Sequence, residues 1–135
     1  MSSLFTIPRS GLPPLRFQGE LLAESDGSCY AGQDRLRYHD IAVYRTDGGQ
    51  YVVHIAYCTR FQGEVGDDQA EIVTEPQGVS DVLADYRPEV RVQGYPPGDH
   101  FTAKQARLVQ DICARYVSQV SDILQVAPEF AEVVQ

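Results

Sequence analysis

Leu36-Arg37-Tyr38-His39-Asp40-Ile41-Ala42-Val43-Tyr44-Arg45 and Tyr51-Val52-Val53-His54-Ile55-Ala56-Tyr57-Cys58-Thr59-Arg60, joined by Thr46-Asp47-Gly48-Gly49-Gln50, decide the fold of this chain. Both runs are rich in β-branched and aromatic residues, and the Asp-Gly-Gly between them is a hairpin turn. The length of that turn fixes the register. A two-residue loop at Gly48 and Gly49 sets Ile41 and Val43 on the same face as His54 and Ala56. A three-residue loop over residues 47–49 gathers Ile41, Val43, Val53 and Ile55 instead. Because a slip of one residue turns every side chain over, the buried face selects the register, and the three-residue loop is expected.

Upstream of the hairpin, residues 15–24 alternate, with Leu15, Phe17, Leu21 and Ala23 opposed to Arg16, Gln18, Glu20 and Glu24, which predicts a half-buried strand. Pro8, Gly11, Pro13 and Pro14 make residues 1–14 an extended arm or a loose first strand. Residues 25–33 are turn-rich, and 71–74 add a short fourth strand. Val79, Val82, Leu83 and Tyr86 recur at helical spacing and predict a short helix that Pro88 stops. A connecting loop spans 87–100. Thr102 and Gln105 then form a capping box with Phe101 as its hydrophobic staple. Val109, Ile112, Cys113, Tyr116, Val117, Val120, Ile123 and Leu124 make one apolar stripe on a helix that Pro128 ends, after which Phe130, Val133 and Val134 dock as a last turn.

The chain therefore reads as a single α+β domain over residues 1–135. An arm (1–14) precedes an antiparallel three- to four-stranded meander sheet (15–75). The helical part (79–135) holds a short helix and one long C-terminal amphipathic helix packed on one sheet face. That helix, about 36 Å long at about 1.5 Å per residue, exceeds the width of so small a sheet. The overhang needs a partner, either the amino-terminal arm or a second subunit; the second predicts self-association through residues 103–126, and on that reading Val117→Glu or Val120→Glu yields a folded monomer. Arg16-Phe17-Gln18-Gly19-Glu20 recurs at Arg60-Phe61-Gln62-Gly63-Glu64 without matching flanks, which predicts two strands in similar surroundings rather than a duplicated unit.

Composition excludes several classes of function. With 135 residues, 43% hydrophobic and 22% charged, the chain is an ordinary globular domain. A net charge of -8 repels phosphate backbones and anionic lipid, so neither nucleic acid nor membrane is an expected partner. Arg35, Arg37 and Arg45 are too sparse to form a basic stripe. Cys29, Cys58 and Cys113 are odd in number and match no zinc spacing, which suits a reducing, cytoplasmic setting. The opening residues show no secretory pattern, and no apolar run is long enough to span a membrane.

The chemistry on offer is thin. His39 and His54 project from opposite faces in the expected register, and His100 stands far away, so no metal or other cofactor is predicted. Cys58 shares a face with His54 but lies about 13 Å along the strand from it, beyond the reach of a thiolate pair. Glu64, Asp67, Asp68 and Glu71 form an acidic loop without calcium-ligand spacing. No phosphate loop, dinucleotide fingerprint or nucleophile elbow occurs, so no catalytic residue is assigned. What remains is surface. Tyr44, His54 and Cys58, together with Tyr38, Arg45 and Arg60, are expected on the less apolar face of the hairpin. Tyr95 and His100 lie in the long loop. A small binding or interaction domain without activity is the expected function. The alternative is a small-molecule or enzymatic site between the sheet and the long helix, built from Tyr44, His54, Cys58 and His100.

Residues 16–24 (Arg-Phe-Gln-Gly-Glu-Leu-Leu-Ala-Glu), then 43–54 (Val-Tyr-Arg-Thr-Asp-Gly-Gly-Gln-Tyr-Val-Val-His), resemble the β-rich part of the EXLDI family, bacterial proteins named for a carboxy-terminal motif. The short helix at 79–86 followed by Pro88 is similar to that family's order, so the likeness covers residues 15–90. It implies the hairpin and a bacterial origin, and it brings no activity or site residue with it. The chain departs from the family where it ends in Glu132-Val133-Val134-Gln135 without the naming motif, and where a long helix replaces the usual tail.

Overall fold

The turn at residues 47–49 closes as the packing argument requires. In a computed structural model that describes residues 2–30, 36–92 and 102–132, Thr46 N–H donates to Gln50 O at 2.8 Å and Gly49, at φ +85°, donates to Thr46 O at 2.9 Å. Among the described residues five strands and two helices follow in order: β1 (Ser3–Arg9), β2 (Leu12–Asp26), β3 (Arg37–Thr46), β4 (Tyr51–Thr59), β5 (Asp67–Val73), α1 (Pro76–Asp85) and α2 (Ala103–Val126). The strands form one antiparallel sheet in sequential order. Ile41 faces Ile55 and Val43 faces Val53 across the hairpin, and none of the four exceeds 1% exposure.

Five strands, rather than three or four, correct the expectation from sequence. The additional strand is the arm: β1 pairs with the first half of β2, Phe5 opposite Phe17 and Ile7 opposite Leu15. Proline is tolerated there because β1 is an edge strand, where a missing N–H breaks no ladder. Pro8 sits at the register shift between Ile7 and Arg9, and Gly11, at φ +76°, makes the turn. Of the acidic stretch only Glu64 lies in a loop. Asp67, Asp68 and Glu71 lie within β5, where pairing with β4 overrides their poor strand propensity.

The repeated pentapeptide adopts two structures, which overturns the expectation of similar surroundings. Arg16 to Glu20 runs through β2, whereas Arg60 to Glu64 leaves β4 and turns towards β5. Gly63 is there because φ is +94°. Gly19 is there because a Cβ would stand 2.2 Å from Arg45 O, where β2 leaves β1 and begins to pair with β3.

Both faces of the sheet are covered. On one, Ile41, Val43, Val53 and Ile55 pack with Val79 and Leu83 of α1 and Tyr116 and Ile123 of α2. On the other the sheet curls, so that Phe5, Ile7, Leu15 and Phe17 close over Tyr44, Val52 and Ala70. The curl is latched where Ser10 N–H donates to Asp68 O and Asp68 N–H donates to Ser10 Oγ, each at 2.8 Å.

Helix α2 begins at the predicted capping box, Thr102 Oγ1 accepting from Gln105 N–H at 3.1 Å while Gln105 Oε1 accepts from Thr102 N–H at 2.8 Å. Phe101, its expected staple, and Val133 and Val134 lie outside the described residues. The buried side of α2 is Ile112, Tyr116, Gln119 and Ile123. It rests on β2 and β3, and on the short turns Gly27–Tyr30, Pro88–Arg91 and Pro128–Phe130. From Ile112 to Ile123 its buried side thus packs within the chain. Val117, 65% exposed, lies off the stripe it was assigned to. Val117→Glu is expected to change stability by no more than about 0.5 kcal/mol in urea unfolding, as exposed substitutions do. Among the described residues, no helix is long and apolar enough to cross a membrane.

Candidate functional site

Strand alternation divides the polar residues of the hairpin between two environments. Arg37 and His39 point with Ile41 towards the helices, into a buried polar layer. Arg37 Nη2 lies 2.8 Å from Glu64 Oε2, and Tyr57 and Thr59 hydroxyls donate to Glu64 Oε1 at 2.6 and 3.0 Å. His39 Nε2 and Tyr86 OH are 2.9 Å apart, and Gln119 Nε2 donates to Ser25 Oγ at 3.0 Å and to His39 O at 2.8 Å. Burial, then the charges of Arg115 and Arg91, push the His39 imidazole down to about 4. Burial pushes the Tyr86 hydroxyl up to about 12, and those of Tyr57 and Tyr116 upward too. At neutral pH His39 is therefore uncharged and Tyr57, Tyr86 and Tyr116 keep their protons. The layer holds α1 and α2 to the sheet.

The opposite face is different. Beside the aromatic plug, the register aligns Glu24, Ala42, His54 and Ala70 across β2 to β5, then Asp26, Asp40, Ala56 and Asp68, then Tyr38 with Cys58. A groove of about 520 Å³ opens over the first two rows, lined by Glu24, Asp26, Asp40, Ala42 and His54. Alanine at position 42 is what leaves the room. His54 Nε2 lies 2.8 Å from Asp68 Oδ1, and a carboxylate can only accept, so that nitrogen carries the proton. Asp40 accepts from Gly27 N–H at 2.9 Å, and the Cys58 thiol points at its other oxygen from 3.8 Å. Burial raises the Asp40 carboxyl above its ordinary value despite the Gly27 bond, with the Asp26 charge adding to the effect. Asp26 is held below its ordinary value by hydrogen bonds from the Ser28 hydroxyl and N–H. Burial and the Asp40 charge push the Cys58 thiol up to about 11.

Among the described residues no site forms between the sheet and the long helix, because Tyr44, His54 and Cys58 all project from the other face and core side chains fill the space there. Tyr44 is also separated from the other two: it stacks with Phe5 and Phe17, ring centroids 4.8 and 5.5 Å apart, in the plug. Arg45, grouped with them on sequence, points to the helix side and binds Glu129 at 2.6 Å and Glu20 at 3.2 Å. Tyr95 and His100 lie outside the described residues. His54 and Cys58 share a face without meeting. Among the described residues no three His, Cys, Asp or Glu side chains converge as metal ligands.

Asp26, Asp40 and Asp68 were missed as site residues. For Asp40 the signal was present: once the three-residue turn is chosen, alternation places it on the face of His54 and Cys58. Asp26 could not be placed, because the register of β2 on β3 shifts between Leu21 and Ala23. Comparison with known proteins finds no match, whether among family models, curated proteins or solved structures.

Proposed function

We propose that the chain is a binding domain without catalytic activity, whose ligand sits in the groove over β2, β3 and β4 and presents a positive charge to Asp26 and Asp40. The observation that carries this reading is the Asp40 carboxyl itself. It stands in a roomy groove, partly desolvated and beside a second carboxylate, so its ionised form gains from a cation. The same surroundings speak against chemistry. A thiol pushed up to about 11 supplies almost no thiolate at neutral pH, and His54 Nε2 is already committed to Asp68.

Thermal unfolding with a panel of small amines, agmatine and spermidine among them, against matched carboxylates tests the proposal. An amine at a hundredfold excess over its dissociation constant stabilises the fold by about 2.7 kcal/mol. Ala42→Leu, which fills the groove, and Asp40→Asn should each abolish that gain. Equal responses to amines and carboxylates, or an unchanged response in Asp40→Asn, would sink the idea.

A further inference from the structure

The last strand of the sheet ends in an open edge, and the two sides of that edge differ in character. Ser10 bonds both the N–H and the C=O of Asp68 from outside the sheet. In an antiparallel ladder outward-facing backbone groups come at every second residue, so those of Ala70 and Ile72 also face away from β4. The turn between β1 and β2 latches β5 at Asp68. Past that point a groove of about 520 Å³ separates the two, with Leu12 on one wall and Ile72 on the other. These two side chains are 59% and 51% exposed.

The two sheet edges are guarded unequally. β1 carries Pro8 and a register shift, both of which discourage pairing. β5 runs from Asp67 to Val73 in unbroken register, with no proline, lysine or bulge. Its side chains alternate. Ala70 and Ile72 lie on the side of Leu12, whereas Asp67, Gln69 and Glu71 lie on the helix side. Arg91 answers Asp67 at 3.2 Å, and the other cation of the groove, Arg9, donates Nε–H to Pro13 O at 2.8 Å, so among the described residues no cation touches Glu71, whose Oε1 accepts from Gln69 Nε2 at 3.1 Å. Two copies joined edge to edge would bring Asp67, Asp68 and Glu71 of both onto one seam, in a chain of net charge -8. A basic strand meets no such repulsion.

We infer that β5 accepts an extended segment of another protein as a sixth strand, one that alternates apolar residues against Ile72 and Leu12 with basic residues against Glu71. Backbone hydrogen bonds to Ala70 and Ile72 supply affinity, and the two side-chain rows supply choice.

A ten-residue peptide of alternating valine and lysine, and a counterpart with glutamate for lysine, test this by fluorescence anisotropy. The lysine peptide should bind at least tenfold more tightly. Ile72→Pro removes an outward N–H without touching the β4 ladder, and Glu71→Lys reverses the charge on an exposed side chain. Each should weaken the lysine peptide at least tenfold, with circular dichroism unchanged for Glu71→Lys. Asp40→Asn should leave peptide binding intact, which separates this edge from the groove on the concave face. Equal binding of both peptides, or full binding to Glu71→Lys, would overturn the inference. So would a dimer by light scattering that Ile72→Pro dissociates, since the edge would then belong to a second copy.

Discussion

Arg37→Met is expected to cost about 3–5 kcal/mol of folding stability at neutral pH, the loss that follows when one partner of a buried ion pair is removed. The two side chains are only 5% and 2% exposed, and Arg37 presents Nε to both Glu64 oxygens at 3.0 and 2.9 Å and Nη2 to one of them at 2.8 Å. Without Arg37 the buried Glu64 carboxylate loses its contacts with the guanidinium while keeping those with the Tyr57 and Thr59 hydroxyls. Such a loss is a large part of the roughly 5–15 kcal/mol that a domain has in total. Urea unfolding of the single variant and of Arg37→Met with Glu64→Gln separates the causes. The double variant should recover part of the loss, because it no longer buries a carboxylate that has lost its guanidinium. A single variant within about 1 kcal/mol of the parent would mean that water reaches the pair.

The second large effect is acid sensitivity arising from His39. The imidazole is 2% exposed and its proton affinity falls from the ordinary 6.5 to about 4 in the fold. The unfolded chain therefore binds a proton that the native state refuses. The contribution of neutral His39 is fully present above pH 6.5 and is lost as pH falls from 6.5 towards 4. At about 1.4 kcal/mol per pH unit the loss is about 3 kcal/mol. His39→Phe keeps the ring stacked among Tyr57, Tyr86 and Tyr116 but cannot titrate. Urea unfolding at pH 7 and pH 4 should show the parent losing about 3 kcal/mol more than this variant. Equal losses in both would place the acid sensitivity elsewhere.

Much of the fold was legible because its signals are local. The Asp-Gly-Gly turn and the apolar alternation around it fixed the register of β3 on β4. Helical spacing at Val79, Leu83 and Tyr86, and the Thr102–Gln105 box, fixed the two helices. What was hidden depends on distant partners. Prolines marked the first residues as an arm, although Pro8 is harmless on an edge strand. Asp67 and Asp68 looked like loop residues until β4 supplied a ladder. The His39–Tyr86 and Gln119–Ser25 contacts join residues 47 and 94 apart, and no pattern along the chain announces them. The site lay between these cases. Alternation alone separates Asp40, His54 and Cys58 from the helix face, and it places Arg45 on the other side from Tyr44. The curl that sends Tyr44 into the plug and leaves Ala42 beneath an open groove requires β1 and the bend at Gly19.

The chain's chemistry is therefore read from its two sheet faces. The helix side is filled by core, whereas the concave side keeps an open acidic groove over Asp26, Asp40 and His54. The most direct test of that account is a 1H–15N correlation spectrum of labelled protein, titrated with spermidine at low ionic strength. Saturable shifts centred on Asp26, Asp40, Ala42 and His54, lost in Asp40→Asn while the rest of the spectrum stays in place, are the predicted result. Shifts spread evenly over the acidic surface, or none at the groove at millimolar spermidine, would contradict the account and leave this face without a ligand.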